Sequence, residues 1–170
     1  MKNVIIILCF LMSEFVTAQK NGKVLYENES NDYNLLIENT TKVHKQNLAD
    51  SHVETLVFTH NNQFKFTITI SRSKAKNVTN DSLSTPSYKE AYRNNCGCDV
   101  LSVRQSKVRS INSVQFKIKR VEKGKVLLGY TDSFVFNGIL YNVVFMTFES
   151  SFSIYQSEYS SIMNTLILKH

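Results

Sequence analysis

The sequence has few of the residues that cross-link or interrupt a chain. Among its 170 residues there are three cysteines, five glycines and one proline. Because Cys9 lies in an N-terminal apolar run, Cys96 and Cys98 remain for the folded part, which excludes the disulfide framework of a small knotted protein. The sequence has no linker-like stretch, internal repeat or low-complexity tract, so we predict a single domain over residues 19–170.

Common catalytic motifs are also missing. The sequence has no G-x-S-x-G, no H-E-x-x-H and no phosphate-binding glycine loop. His44, His52 and His60 are spaced by eight residues, and an extended strand separates two such positions by more than about 25 Å, which is too far to share an ion. We therefore predict a protein that is not an enzyme and that has no metal site and no cofactor.

The first 18 residues have the order of a secretory signal peptide. Lys2 precedes an apolar run from Val4 to Met12, and a more polar stretch then ends in a small residue, Ala18. The run is too short to span a bilayer as a mature helix, so we predict no transmembrane segment in the mature chain. Cleavage after Ala18 would export the protein to the periplasm or the surrounding medium.

Positive charge is concentrated in one segment of a chain whose formal net charge is +6. Nine basic residues lie between Arg93 and Lys125, against two acidic residues, Asp99 and Glu122. This pattern favours an acidic partner, either a protein or an anionic polymer of the cell envelope, although solvated strand faces produce it too. Nucleic acid is disfavoured, because the chain is predicted to be exported and has no nucleic-acid-binding motif. The candidate residues for an anionic partner are Arg104, Lys107, Arg109, Lys117, Lys119 and Arg120.

Alternating apolar and polar residues predict strands along most of the chain. In residues 64–71 apolar side chains alternate strictly with lysine, threonine and serine, and residues 114–119 follow the same pattern. Asn137 and Gly138 separate two apolar runs and both tolerate positive φ, which predicts a two-residue hairpin turn. Residues 139–148 are apolar at nearly every position, as in a strand that is covered on both faces.

Two segments are predicted to be helical. Thr85 can cap a helix that has Pro86 at its first position. Residues 151–168 carry an apolar stripe at spacings of three and four. Since the strand at 139–148 needs cover on both sides, we place a helix on each face of a central antiparallel sheet. The predicted fold class is therefore α+β, an α/β/α sandwich.

The C-terminal part of the chain resembles PsbP-like domains. The matching positions lie in a hairpin and in the helix that follows it. They are Gly138, Tyr141, Val143, Phe145, Tyr155, Tyr159, Ile162 and Met163. The resemblance implies an antiparallel sheet sandwiched between helices. It also implies binding without catalysis, since relatives serve as photosystem subunits, as a nuclear-transport binding factor and as exported bacterial proteins.

Cys96 and Cys98 are the most unusual feature of the sequence. They follow the first predicted helix, where Gly97 is placed to stop it, and the negative end of the helix dipole disfavours a thiolate there. A local disulfide is favoured, with free or intermolecularly paired thiols and a metal or redox role as alternatives. The predicted function is thus an exported, non-catalytic protein that binds a partner; the alternative is a thiol-redox or metal-binding protein centred on this pair.

Overall fold

The computed structural model describes residues 22–48 and 50–169. The predicted signal peptide, residues 1–18, lies outside this part of the chain. The described residues form ten strands and two α-helices, with short 3-10 turns before each helix. In chain order the elements are β1 (Lys23–Glu27), β2 (Tyr33–Glu38), β3 (Lys42–Leu48), β4 (Ser51–His60), β5 (Gln63–Lys74), α1 (Pro86–Asn95), β6 (Asp99–Val108), β7 (Ile111–Glu122), β8 (Lys125–Phe136), β9 (Ile139–Phe148), α2 (Phe152–Met163) and β10 (Ile167–Leu168).

The strands form two antiparallel sheets. The larger has seven strands in the order β3-β4-β5-β9-β8-β7-β6, and the smaller has three in the order β1-β2-β10. The predicted hairpin turn is confirmed, because Asn137 and Gly138, with φ of 50° and 73°, separate β8 from β9. Asn61 and Asn62 make a turn of the same length between β4 and β5, with φ of 48° and 61°. Positive φ at both positions matches the right-handed twist of the flanking strands.

The main hydrophobic core lies on one face of the seven-stranded sheet. Alternate residues of its strands point to this side, as the sequence pattern predicts. Both α2 and the three-stranded sheet pack against it in one continuous apolar cluster. We call this side the core face and define it by five residues that are at most 1% exposed, which are Leu56, Phe66, Ile68, Val143 and Phe145.

The predicted α/β/α sandwich is wrong. Strands account for 59% of the described residues and helices for 19%. A second sheet covers the core face together with α2, and on the opposite face α1 contributes no fully buried residue. The prediction failed at β2, where Tyr33 and Leu35 are fully buried against the larger sheet. An apolar strand has the same sequence pattern whether it joins a sheet or packs across one, so the distinction depends on packing.

Helix α2 ends earlier than predicted. The apolar stripe suggested a helix to residue 168, but the last helical residue is Met163, and Ile167–Leu168 instead pair with β2 as β10. The hydroxyl of Thr165 donates to the carbonyl oxygen of Ile162 at 2.7 Å, a local hydrogen bond that competes with continued helix. Among the described residues, no helix has both the length and the apolar character that crossing a membrane requires.

A buried carboxylate ties α2 to the sheet. Asp132 of β8 is 4% exposed. It accepts hydrogen bonds from the hydroxyl of Tyr159 at 2.7 Å and from Nε2 of Gln115 at 2.9 Å. Burial raises the pKa of Asp132 above its ordinary value, and the hydrogen bonds and the nearby Arg104 charge offset part of that effect. The folded state therefore holds a proton on this carboxyl more tightly than the unfolded chain does.

The raised pKa of Asp132 predicts a specific pH dependence of stability. Its contribution is fully present below the unfolded pKa of aspartate, about 3.9, and is lost as pH rises through the folded pKa. Relative to Asp132→Asn, which cannot ionise, the wild-type free energy of unfolding should therefore decrease from about pH 4 towards neutrality. Urea unfolding of both proteins across this range measures the difference. A difference that stays constant with pH would contradict the prediction.

Candidate functional site: a basic hairpin and an open cleft

The candidate residues for an anionic partner lie on one hairpin. In the described sheet β6 is an edge strand, and it pairs with β7 from Asp99 opposite Lys119 to Val108 opposite Ile111. We call residues 99–122 the basic hairpin. It carries six cations and two carboxylates, which are Arg104, Lys107, Arg109, Lys117, Lys119 and Arg120, with Asp99 and Glu122.

Three of these cations lie on the side of the hairpin that faces α2. The guanidinium of Arg104 donates through Nε to Gln115 at 2.9 Å, and the same Gln115 holds the buried Asp132 carboxylate. The Lys117 ammonium lies 5.1 Å from the ring centre of Phe152, the first residue of α2. The Lys119 ammonium lies 3.6 Å from a glutamate carboxylate just before that helix. These three side chains therefore help to position α2 besides presenting charge.

The other three cations are exposed. Arg109 occupies the turn between β6 and β7 with φ of 54°, and its Nη1 donates to the carbonyl oxygen of Asn164 at 2.9 Å. Lys107 lies near the end of β6, two residues before that turn. Arg120 projects to the face opposite the core face. The structure thus brings all six residues onto one hairpin, with Lys107 and Arg120 on the face away from α2 and Arg109 at the turn beside the end of α2.

The cysteine pair lies at the end of α1, where the sequence places it. The helix begins at Pro86, ends at Asn95 and has Cys96 as its C-cap, and Gly97 follows with φ of 59°. The two sulfur atoms are 2.14 Å apart, within bonding distance, and the Cα atoms are 5.2 Å apart. Formation of the disulfide in the cell stays a prediction, as do its free-thiol and redox alternatives.

The histidines are separated by the fold. His52 is exposed on β4, where its Nδ1 lies 2.8 Å from Oδ1 of Asn47, and His44 lies on β3 opposite Thr55. Across residues 22–48 and 50–169, no group of three or more His, Cys, Asp or Glu side chains is placed to hold a metal ion. A metal-binding role for Cys96 and Cys98 would thus need ligands from outside the described residues or weaker donors.

The structure also contains a cleft of about 550 Å³ that the sequence reasoning missed. One of its walls is formed by the end of α1 with the cysteine loop, the other by β5, and the floor by β7, β8 and β9. Its polar residues on β5 were visible in the sequence as an alternation, but solvated sheet faces show the same pattern. We call this side of the sheet the open face and define it by Thr67, Thr69, Val144 and Met146.

The cleft exists because α1 covers only part of the open face. Its Tyr92 ring stacks on Phe116 of β7 with ring centres 4.1 Å apart, and the Tyr92 hydroxyl hydrogen-bonds Thr131 of β8. These contacts anchor α1 over β7 and β8. The open face of β5 and β9 stays half-buried, with Thr67 and Val144 among the residues that line the cleft.

Comparison with known proteins shows the fold. No family model and no curated protein matches the sequence. Cyanobacterial PsbP (CyanoP) from Synechocystis sp. PCC 6803 superposes with a TM-score of 0.68 at 12% identity, covering 93% of this chain and 99% of that chain. A Bacteroides thetaiotaomicron protein superposes with a TM-score of 0.56 at 12% identity, over 89% of this chain and 50% of that one. A Pseudomonas aeruginosa protein of unknown function has a TM-score of 0.52 at 12% identity, over 87% of this chain and 98% of that one.

The chain has a PsbP-like fold, and the resemblance inferred from its C-terminal residues is confirmed at that level. The match extends well beyond the hairpin and helix that suggested it, since it spans 93% of the chain. At 12% identity the likeness concerns the fold alone, and a shared fold does not transfer a binding site. The function must therefore be argued from the basic hairpin and the cleft.

Proposed function

We propose that this chain is a small exported protein without catalytic activity, which binds an anionic partner through the basic hairpin. The observation that carries the proposal is the charge of that hairpin, six cations against two carboxylates at one edge of the sheet. A surface of one sign attracts acidic proteins and polyanions over several ångströms of solvent. The partner is accordingly an acidic protein or an anionic polymer of the cell envelope. Four of the cations are exposed, which are Arg104, Lys107, Arg109 and Arg120.

Side-chain charge, and not strand pairing, is the proposed mode of binding. An edge strand offers backbone donors and acceptors to a partner strand. In β6, however, the pairing with β7 shifts between Val100 and Ser102, and Leu101 is 51% exposed at this irregularity. Bulges of this kind disrupt the flat edge that a partner strand needs. The flexible cations of the hairpin remain able to contact a polyanion of irregular shape.

Export and the lack of catalysis are parts of the same proposal. Export rests on the signal-peptide pattern of residues 1–18. The non-catalytic assignment rests on the absence of catalytic motifs from the sequence. An exported protein meets the anionic polymers of the envelope directly, so the location and the basic hairpin support one another.

Reversing two exposed charges of the hairpin should weaken binding to a polyanion. Lys107→Glu combined with Arg109→Glu is expected to reduce affinity for heparin, used as a model polyanion, by roughly tenfold or more. The physical reason is that each reversal replaces an attraction by a repulsion at the contact surface. Affinity is measured by titration at fixed ionic strength, and retention in the envelope fraction is measured in parallel.

A matched control separates the hairpin from the overall charge. Lys42→Glu with Lys76→Glu makes the same change in net charge at two exposed positions outside the hairpin. We expect this control to retain most of the affinity. Equal losses in both double variants, or no loss in either, would refute binding by the hairpin.

One observation favours the alternative function. Cys96 and Cys98 line the wall of the cleft, where a small molecule can reach them. A thiol-redox or metal-binding role would therefore depend on both sulfurs. Cys96→Ser with Cys98→Ser distinguishes the two functions, because unchanged heparin binding and envelope retention favour the hairpin, whereas loss of both favours the thiol pair.

A further inference from the structure

The cleft on the open face has the size of a small-molecule site. Its volume of about 550 Å³ falls within the range of roughly 300–1,000 Å³ that is typical of ligand pockets. It is bounded by three different parts of the chain, namely α1 with the cysteine loop, β5, and the strands of the floor. The β5 wall and the floor belong to one hydrogen-bonded sheet, and Tyr92 anchors the α1 wall by stacking on Phe116.

One side of the cleft is apolar. Leu127, Val144 and Met146 are half-buried on β8 and β9, and Ile118 of β7, which is 4% exposed, also lines the floor. Phe64 lies in the β5 wall and is 36% exposed. Covering such a patch is favourable by about 25 cal/mol for each Å² removed from water. A flat apolar body would therefore gain free energy by lying on this floor.

The opposite side of the cleft carries hydroxyl and amide groups. Thr67, Thr69 and Ser71 follow one another along β5, and Asn142 lies beside them on β9. Some of these groups already bond within the sheet, as Thr69 does with Thr55 at 3.1 Å. The polar edge can accept or donate hydrogen bonds to a ligand whose two edges differ in polarity.

Charge at one end of the cleft selects the sign of the ligand. Arg120 and Glu122 both line this end, but their cross-strand partners differ. Glu122 lies opposite Lys125, which offsets its charge, whereas Arg120 lies opposite the apolar Leu127. Directly opposed residues are close enough to interact, with Cβ atoms about 5 Å apart. The guanidinium of Arg120 thus leaves this end of the cleft favourable for an anion.

We propose that the cleft binds a small amphipathic carboxylate, with its flat apolar body over Leu127, Val144 and Met146 and its carboxylate at Arg120. Arginine suits this role because its planar fork can donate two hydrogen bonds to one carboxylate. This site shares Arg120 with the basic hairpin but differs from polyanion binding in its other residues. It requires neither a polymer nor the exposed Lys107 and Arg109.

The methionine side chains allow a direct test on the full chain. The sequence has four methionines, at positions 1, 12, 146 and 163, so methyl-labelled methionine gives few NMR signals. Met146 lies on the cleft floor, and Met163 is 7% exposed in the core. Titration with 2-naphthoate, an aromatic carboxylate, should shift the Met146 methyl signal in a saturable way and leave Met163 unchanged. No shift of Met146, or equal shifts of both, would overturn the proposal.

A neutral probe and a single substitution test the role of Arg120. The isosteric alcohol 2-naphthalenemethanol should bind roughly tenfold more weakly than 2-naphthoate, since it lacks the charge-assisted hydrogen bonds. Arg120→Gln should remove this preference while alcohol binding persists. An unchanged preference in Arg120→Gln would overturn the assignment of the carboxylate to this residue.

Filling the cleft supplies an independent test. Thr67→Tyr places a large side chain over the floor from β5 and should abolish binding of both probes. His44→Tyr places the same ring at an exposed position of β3, two strands away from β5 and outside the cleft lining, and should leave binding intact. The double variant Lys107→Glu with Arg109→Glu should bind 2-naphthoate like the wild type even where heparin binding is lost. Binding that survives Thr67→Tyr would place the ligand elsewhere.

Discussion

Arg72→Met is expected to destabilise the fold by about 3 kcal/mol or more. Arg72 of β5 is 4% exposed between the two sheets, where it pairs with Asp32 and lies 5.7 Å from the ring centre of Tyr33. On the same face, Tyr33 donates its hydroxyl to Glu54, which is 3% exposed. Removing the cation leaves the buried Glu54 carboxylate without a positive charge in this cluster, whereas Asp32, whose side chain is 35% exposed, stays hydrated. Leaving a buried charge uncompensated in this way typically costs about 3–5 kcal/mol.

The pKa directions in this cluster agree with its burial. Burial lowers the pKa of the Arg72 guanidinium. Burial first, and then the charge of Glu54, raise the pKa of the Tyr26 and Tyr33 hydroxyls, so both tyrosines stay protonated. The cluster thus combines one cation, carboxylates and neutral donors between the sheets. Methionine keeps much of the volume of the arginine stem, so the expected loss reports charge and hydrogen bonding more than packing.

Lys65→Met is the matched control for this prediction. The Lys65 ammonium lies 2.7 Å from the Glu158 carboxylate and 3.3 Å from that of Glu38. Glu38 and Glu158 are both about one-third exposed, and neither is buried as Glu54 is, so water solvates both when the lysine is removed. We expect a loss of about 1 kcal/mol or less. Urea unfolding of both variants measures the difference in their free energies of unfolding. If Arg72→Met proves as stable as Lys65→Met, the buried-cluster argument is contradicted.

Gly129→Ala is the second substitution with a large expected effect, a loss of about 3 kcal/mol. A Cβ atom at Gly129 would lie 1.9 Å from the carbonyl oxygen of Phe145 and 2.5 Å from the sulfur of Met146. The Phe145 carbonyl belongs to the central strand β9, which is paired on both sides, so it cannot move without disturbing the sheet. Overpacking of a well-ordered interior costs about 1–3 kcal/mol, and a backbone contact places this case at the upper end.

Gly124→Ala distinguishes the steric cost from the conformational cost of replacing a glycine. Gly124 has φ of +76° in the turn between β7 and β8, and nothing lies within 4 Å of an added Cβ. Alanine there should cost about 1–2 kcal/mol, from the left-handed backbone alone. Chemical denaturation of both variants gives the comparison. If Gly129→Ala loses no more stability than Gly124→Ala, the close approach of β8 to β9 is not as the structure shows it.

The local features of the fold could be read from the sequence. The alternation at 114–119 correctly separated Phe116 and Ile118, which are buried against α1 and its neighbours, from Lys117 and Lys119 on the other side. The turn at Asn137 was also predicted correctly. Side-chain direction alternates along a strand and turn type depends on a few φ values, so neighbouring residues suffice to specify both.

The burial of the polar side of β7 could not be predicted from the sequence pattern. Ser113 and Gln115 have the pattern of a solvated strand face, yet they are 2% and 7% exposed. For Gln115 the cause is its hydrogen bond to Asp132, which Tyr159 of α2 contacts across this part of the core face. A sequence pattern gives the face on which a residue lies, but not what a distant element places against that face.

The candidate sites also differ in how far the sequence predicts them. The cations of the basic hairpin and the position of Cys96 and Cys98 after a helix were apparent in the sequence, because both depend on residues close together in the chain. The cleft was not, since it joins Thr67 to Val144 and to the end of α1 across the sheet. The sequence by itself determined the alternating strands at 64–71 and 114–119, the turn at Asn137 and the basic segment. Tertiary packing alone decided which strands form the second sheet and which part of the open face stays uncovered, because burial depends on contacts between residues far apart in the chain.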